Sequence, residues 1–129
     1  GIGKTTLNPD EVITNIILKK SNHISSFAKV GSRKTVIISK INCCGKFYLD
    51  EDNIVKEANI YLGAVGTKPI QADIIEEKLV GKKIESISIN LDSAVEQQIE
   101  NAIPNRSSKH YKKYAAIGLV EDMLLGLGR

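Results

Sequence analysis

The sequence has no apolar run near the roughly 18 residues that a membrane span requires, and no basic start leading into an apolar stretch. Neither a membrane partner nor a secretory leader is therefore expected. Its two cysteines, Cys43 and Cys44, are neighbours. A disulfide framework needs more cysteines, spaced apart, and a zinc site needs a second pair. A reducing, cytoplasmic setting is expected, in which the sequon-like Asn105-Arg106-Ser107 is coincidence. Met123 is the only methionine, so Gly1 is not expected to be a natural start. The chain reads as an excised or processed piece of a longer protein.

Charge is not concentrated either. The net charge is +3, and the basic pairs Lys19-Lys20, Arg33-Lys34, Lys82-Lys83 and Lys112-Lys113 are scattered. Scattered pairs describe a solvated surface better than a nucleic-acid footprint, which gathers cations on one face. Internal repeats and low-complexity segments are absent. Gly3-Lys4-Thr5 looks like the end of a phosphate-binding loop, but that loop needs a glycine five positions earlier, a strand before it and a helix after it. Here Pro9 falls where the helix should be running, and proline cannot sit comfortably in a helix interior.

What is present is an ordinary globular chain of 129 residues, 42% apolar and 26% charged, long enough for one core. Residues 4–7 and 12–18 (VITNIIL) are rich in β-branched side chains and are expected to be strands around the turn Asn8-Pro9-Asp10-Glu11. A polar loop over 19–25 leads to a short strand over 27–30, ended by Gly31. From Thr35 to Leu49 the pattern alternates, with Ile37, Ile41, Cys43, Phe47 and Leu49 on one parity. A charged turn over 50–53 joins this run to a second one carrying Ala58, Ile60, Leu62 and Ala64. The two are expected to form an antiparallel hairpin.

The period then changes. Residues 70–80 set Ala72, Ile75 and Leu79 on one helical face and stop at Gly81. Residues 91–103 repeat the pattern with Leu91, Ala94, Val95, Ile99 and Ala102, and Pro104 ends them. A last helix, capped by Ser107 or Ser108, carries Ala116, Ile117, Val120, Met123, Leu124 and Leu127. Strands first and helices after argue an α+β fold. About three antiparallel strands are expected, followed by three helices packed on one face.

No spacing in the chain is a catalytic site by itself. His23 and His110 lack an acidic or cysteine partner at ligand spacing, so no metal or catalytic residue is expected. On a strand Cys43 and Cys44 point to opposite faces, one into the core and one toward solvent. Glu76-Glu77 and Glu121-Asp122 read as wet helix faces. Tyr111 and Tyr114 beside Lys112 and Lys113 fit either a stacking platform for nucleic acid or packing rings with flanking charge.

Four segments taken together carry a resemblance: KTTLNPDEVITNIIL, FAKVGSRKTVIISKINCCGKFYL, YLGAVGTKPIQADIIEEKLVGK and SSKHYKKYAAIGLVEDML. In this order they resemble the flavoprotein subunits of molybdenum hydroxylases, such as xanthine dehydrogenase and carbon monoxide dehydrogenase. The third is the most specific, with its Leu-Gly-Ala-Val-Gly and proline ahead of a helix ending in Leu-x-Gly-Lys. The resemblance implies that residues 1–30 trail from the FAD-binding domain and that 31–129 form the C-terminal α+β domain. Gly3-Lys4-Thr5 is then the edge of a preceding domain.

By the same resemblance, FAD is the cofactor of the parent chain, and the molybdenum cofactor and [2Fe-2S] clusters lie in partner subunits or domains. The parent is expected to be an oxidoreductase that passes electrons from iron–sulfur clusters through FAD to an acceptor. The fragment itself is expected to be inactive, because the family's pyrophosphate-binding segments are missing from it. Lys29 looks like the lysine that approaches the flavin ring, and Ile13 like an apolar contact to it. Ile37 departs from the family, where many members have aspartate. The alternatives from other classes are a nucleic-acid-binding module built on Lys109, Lys112, Lys113 and the tyrosines, and a pure assembly module.

Overall fold

Alternation over Ile41–Leu49 puts Ile41, Cys43 and Phe47 on one side of the chain, and all three are completely buried. That strand pairs with its neighbours on both edges, in a computed structural model that describes residues 3–33, 38–84 and 90–128. Four antiparallel strands run in sequence order: β1 (Ile24–Val30), β2 (Ile41–Leu49), β3 (Val55–Gly63) and β4 (Ile70–Gln71). The expected hairpin is β2–β3, in register from Asn42 opposite Gly63 to Phe47 opposite Ala58, with an irregularity at Tyr48/Leu49. Its turn uses Asn53 at a positive φ of 61°, which a short polar side chain tolerates.

Three helices follow: α1 (Asp73–Leu79), α2 (Asp92–Ala102) and α3 (Lys109–Leu125). The α3 helix packs on β1 and β2, α1 packs on β3, and α2 is held between α1 and α3. The apolar stripes meet in one core, with Ile75 and Leu79 of α1, Val95 and Ile99 of α2, and Leu119, Val120 and Met123 of α3. Helix α3 lies close enough to β2 that a Cβ on Gly45 would stand 2.6 Å from Met123 Sδ and 2.6 Å from the Phe47 ring. Helix α1 closes as its sequence suggests, with Gly81 at φ 79° just beyond it.

Several expectations are corrected. Residues 4–7 and 12–18 form no strand, and Val12, Ile13, Ile16, Ile17 and Leu18 are all exposed. A strand needs a partner edge and a buried face, and these residues meet neither. The turn between them does form: the Asn8 N–H donates to Glu11 Oε2 at 2.8 Å. Strand β1 begins at Ile24, inside the expected polar loop, because pairing with Phe47 extends it. The described part of the next strand begins at Ile41, and residues 38–40 lie outside it. Thr35 and Ile37 lie outside the described residues. Ala64 ends beyond β3 in a turn with φ 62°. The sheet has a fourth strand because Ile70 and Gln71, read as helical, pair with Leu62 and Tyr61. Ser108 does stand at the start of α3, but its side chain makes no capping bond.

Side chains tie the layers together where the sequence shows only polar surface. Glu76, read as a wet helix position, accepts the Ile60 N–H at 2.6 Å and Gln71 Nε2 at 2.9 Å. Gln98, buried in α2, accepts the Ile74 N–H at 3.1 Å and donates to the Gln71 carbonyl at 3.2 Å. Glu100 joins α2 to α3, receiving Lys109 Nζ at 2.5 Å and Lys113 Nζ at 2.7 Å.

The hydrogen bonds from Lys109 and then Lys113 hold the Glu100 carboxyl down at about 2, against 4.5 ordinarily. A carboxyl depressed in the folded state stabilises it fully above the ordinary value, and that stabilisation is lost as pH falls from 4.5 toward 2. The melting-temperature gap between the chain and Glu100→Gln is therefore expected to hold steady from pH 8 to about pH 5 and to close in more acidic buffer. A gap that stays constant down to pH 2.5 contradicts this assignment (both the parent and the variant would be followed by circular dichroism).

Candidate functional site

The helices cover one face of the sheet and leave the other open. Alternation decides which side chains the open face carries. On β1 these are Ser25, Phe27 and Lys29, all exposed. Across from them, β2 presents Lys46, Cys44 and Asn42, in that pairing order, and β3 presents Asn59, Tyr61 and Gly63 opposite those. Phe27 is 61% exposed, an unusual position for a large ring, and Tyr61 stands beyond Cys44 in the same cross-strand row. An open hollow of about 620 Å³ lies among His23, Ser25, Phe27, Cys44, Lys46 and Tyr61.

Polar contacts border this face. Tyr48 Oη donates to Ser21 Oγ at 3.1 Å, Ser21 Oγ lies 2.8 Å from His23 Nδ1, and Lys46 Nζ sits 5.0 Å from the Tyr48 ring centroid. No carboxylate joins the Ser21–His23 pair in these contacts, so it lacks the third group of a hydrolytic relay. Among the described residues, no group of three His, Cys, Asp or Glu side chains converges for a metal ion. Cys43 is buried and Cys44 exposed. Burial, reinforced by the neighbouring Cys44, pushes the Cys43 thiol up to about 12, so it packs rather than reacts.

Lys29 stands near the end of β1, opposite Asn42, and the Asn42 side chain in turn lies over Gly63, where a Cβ would collide with it. It projects from the open face two residues after Phe27, so a ring and a cation share one surface that no part of the core covers. Ile13 is placed differently. It is 69% exposed in a segment without strand partners and takes no part in the core. Among the described residues, nothing in the core or the sheet ladders ties Ile13 to Lys29.

The basic residues of α3 are otherwise engaged. Lys109 and Lys113 pair with Glu100, and Lys109 also donates to the Pro104 carbonyl at 2.8 Å. Lys112 donates to the carbonyl of Ala64. Tyr111 takes Lys40 over its ring at 5.6 Å. Cations committed to internal partners do not make a free track for a phosphate backbone.

Comparison with known proteins identifies the architecture. A search of curated proteins gives no match to this sequence. Among solved structures, the Cu,Mo-CO dehydrogenase in its cyanide-inactivated form superposes with a TM-score of 0.65 at 19% identity, over 85% of this chain and 38% of that one. Reconstituted CO dehydrogenase from Oligotropha carboxidovorans gives 0.63 at 20% identity, over 87% and 39%. Quinoline 2-oxidoreductase from Pseudomonas putida 86 gives 0.60 at 21% identity, over 83% and 37%. These identities establish the fold, and the chain spans under two-fifths of each of those chains. The sequence model of the CO dehydrogenase flavoprotein C-terminal domain matches residues 26–127. That span includes Phe27, Lys29, most of the meander and all three helices, and leaves Ile13 outside. An antiparallel meander under three helices, matched along nearly its whole length, makes this chain a member of the CO dehydrogenase flavoprotein C-terminal domain family.

Proposed function

We propose that this chain is the C-terminal portion of the FAD-binding subunit of a molybdenum-dependent hydroxylase, and that its open sheet face is turned toward the flavin. The observation that carries the reading is the family match over residues 26–127, which falls almost entirely on the unit of sheet and helices. The residues fit the cofactor in kind: an exposed cation at Lys29 beside an exposed ring at Phe27 suits a flat, electron-accepting ring system. FAD supplies the electron-carrying chemistry when bound, between iron–sulfur clusters and an acceptor.

Lys29 places a fixed positive charge where electron density arrives, and so favours the more negative form of the cofactor. Ile13 offers an apolar contact from the segment that precedes the sheet. Residues 1–30 are read as the trailing part of the FAD domain and 31–129 as the C-terminal domain. The pairing of β1 with β2 supports counting the end of that segment with the sheet. The parent's partners are a molybdenum-cofactor subunit and a subunit carrying [2Fe-2S] clusters, in the cytoplasm. No helix among the described residues is long and apolar enough to cross a membrane.

The first test is the visible spectrum of the parent chain purified without added cofactor. Oxidised-flavin bands that bleach on reduction support the reading, and a folded, colourless parent that refuses FAD overturns it. In a flavin-containing parent, Lys29→Gln is expected to lower the flavin's midpoint potential by on the order of 30 mV, equivalent to about 1.4 kcal/mol for a two-electron couple. A potentiometric titration reads this directly. An unchanged potential would favour the assembly-module reading, in which Lys29 is only a surface lysine.

A further inference from the structure

A second hollow, of about 390 Å³, lies at the end of the sheet where β3 leaves for β4, between that turn and the α2–α3 connection. Lys68 and Arg106 supply its charge, Thr67 and Asn105 its neutral hydrogen-bonding groups, and Ile70, Ile103 and neighbouring Pro104 an apolar wall. None of its lining residues is acidic. No carboxylate among the described residues pairs with Lys68 or Arg106. Glu100, at this end of α2, is already held by Lys109 and Lys113.

A third cation adds to the field. Lys112 reaches across to the carbonyl of Ala64, in the same turn. Burial, and after it the charge of Arg106, lowers its affinity for a proton, which places Arg106 within reach of a second positive group. Like charges held near one another without a counter-ion destabilise the loop that carries them until an anion arrives.

We propose that this hollow binds an organic phosphate monoester, its phosphate on Arg106 and Lys68 and its apolar body against Ile70, Ile103 and Pro104. A guanidinium presents two parallel N–H groups to such an oxyanion, and a dianion matches two cations better than a carboxylate does. The volume lies within the usual range of about 300–1,000 Å³ for small-molecule sites. The hollow lies between the β3–β4 turn and the α2–α3 connection, whereas Lys29 projects from the open sheet face, so this site is independent of the flavin reading.

The test is an amide NMR titration of the chain with phenyl phosphate, with benzoate as the monoanionic comparator. The expected result is saturable shifts at Gly66–Lys68 and Asn105–Arg106, with weaker binding of benzoate. Arg106→Gln is expected to weaken phenyl phosphate about tenfold or more, the effect of losing a charge-assisted hydrogen bond. Lys20→Gln, in the exposed leading segment, is expected to leave binding unchanged. Shifts spread evenly over the surface lysines, equal effects of Arg106→Gln and Lys20→Gln, or no saturation would each overturn the proposal. A colourless parent chain bears on the flavin reading alone and leaves the outcome of this titration as it stands.

Discussion

Phe47→Ala is expected to cost about 3–5 kcal/mol, a large share of the roughly 5–15 kcal/mol that holds a domain of this kind together. Among the described residues Phe47 is the largest completely buried side chain, and it sits on an inner strand of the sheet, paired with Ile24 on one side and Ala58 on the other. Its removal takes away a ring's worth of apolar burial and leaves a cavity that helix α3 and the sheet cannot collapse into without breaking strand pairing. Urea unfolding should show the midpoint falling sharply at constant slope, because the same surface is still exposed on unfolding. Phe47→Leu keeps most of the volume and should lose much less. A cost below 1 kcal/mol for the alanine variant would mean that the sheet and helices do not share one core.

Gly45→Ala carries the second large effect, and its sign is the informative part. At an unstrained strand position, replacing glycine by alanine usually stabilises by about 0.4–1 kcal/mol, by restricting the unfolded chain. Here the new methyl would arrive 2.6 Å from both Met123 Sδ and the buried Phe47 ring. Met123 can swing, but it is itself completely buried, so its movement disturbs α3. A loss of about 1–3 kcal/mol is expected. In a Met123→Ala background the part of the loss due to Met123 should disappear while the contact with Phe47 remains, a coupling of about 0.5–3 kcal/mol. Additive behaviour of the two changes would show that α3 does not lie over Gly45 as described.

The parts of this fold legible in the sequence are those whose burial follows from local period. The alternation of Ile41, Cys43 and Phe47 against Asn42, Cys44 and Lys46 states which face of β2 is wet. The stripes of α2 and α3 do the same for the helices, and the buried Leu119, left out of the expected stripe, falls on it three residues after Ala116. What stays hidden is whatever a distant partner decides. Val12 to Leu18 has every local mark of a strand, yet no edge of this sheet takes it up. Ile70 and Gln71 continue a helical stripe backward, but the free edge of β3 claims them. Glu76 differs from Glu77 through the Ile60 N–H sixteen residues earlier and the Gln71 side chain.

The candidate site divides in the same way. The opposite fates of Cys43 and Cys44 follow from adjacency on a strand alone. The role proposed for Lys29 rests on family resemblance, because a four-residue run over 27–30 is too short to assign its face. Pairing with β2 then lengthens that run and turns Phe27 and Lys29 outward together. The use of Lys112 to hold the Ala64 carbonyl, 48 residues back along the chain, has no local signature.

Each strand of the meander pairs with the one made just before it, so ribosomal synthesis can lay the sheet down in order. Its cover does not arrive in that order. The face bearing Cys43, Gly45 and Phe47 is roofed by α3, which follows every other element described here except a closing turn. While the ribosome is still working through α1 and α2, the nascent chain carries a sticky, half-finished sandwich. Truncation ahead of α3, by a premature stop or a protease, would leave a product for chaperones to hold rather than a smaller stable domain.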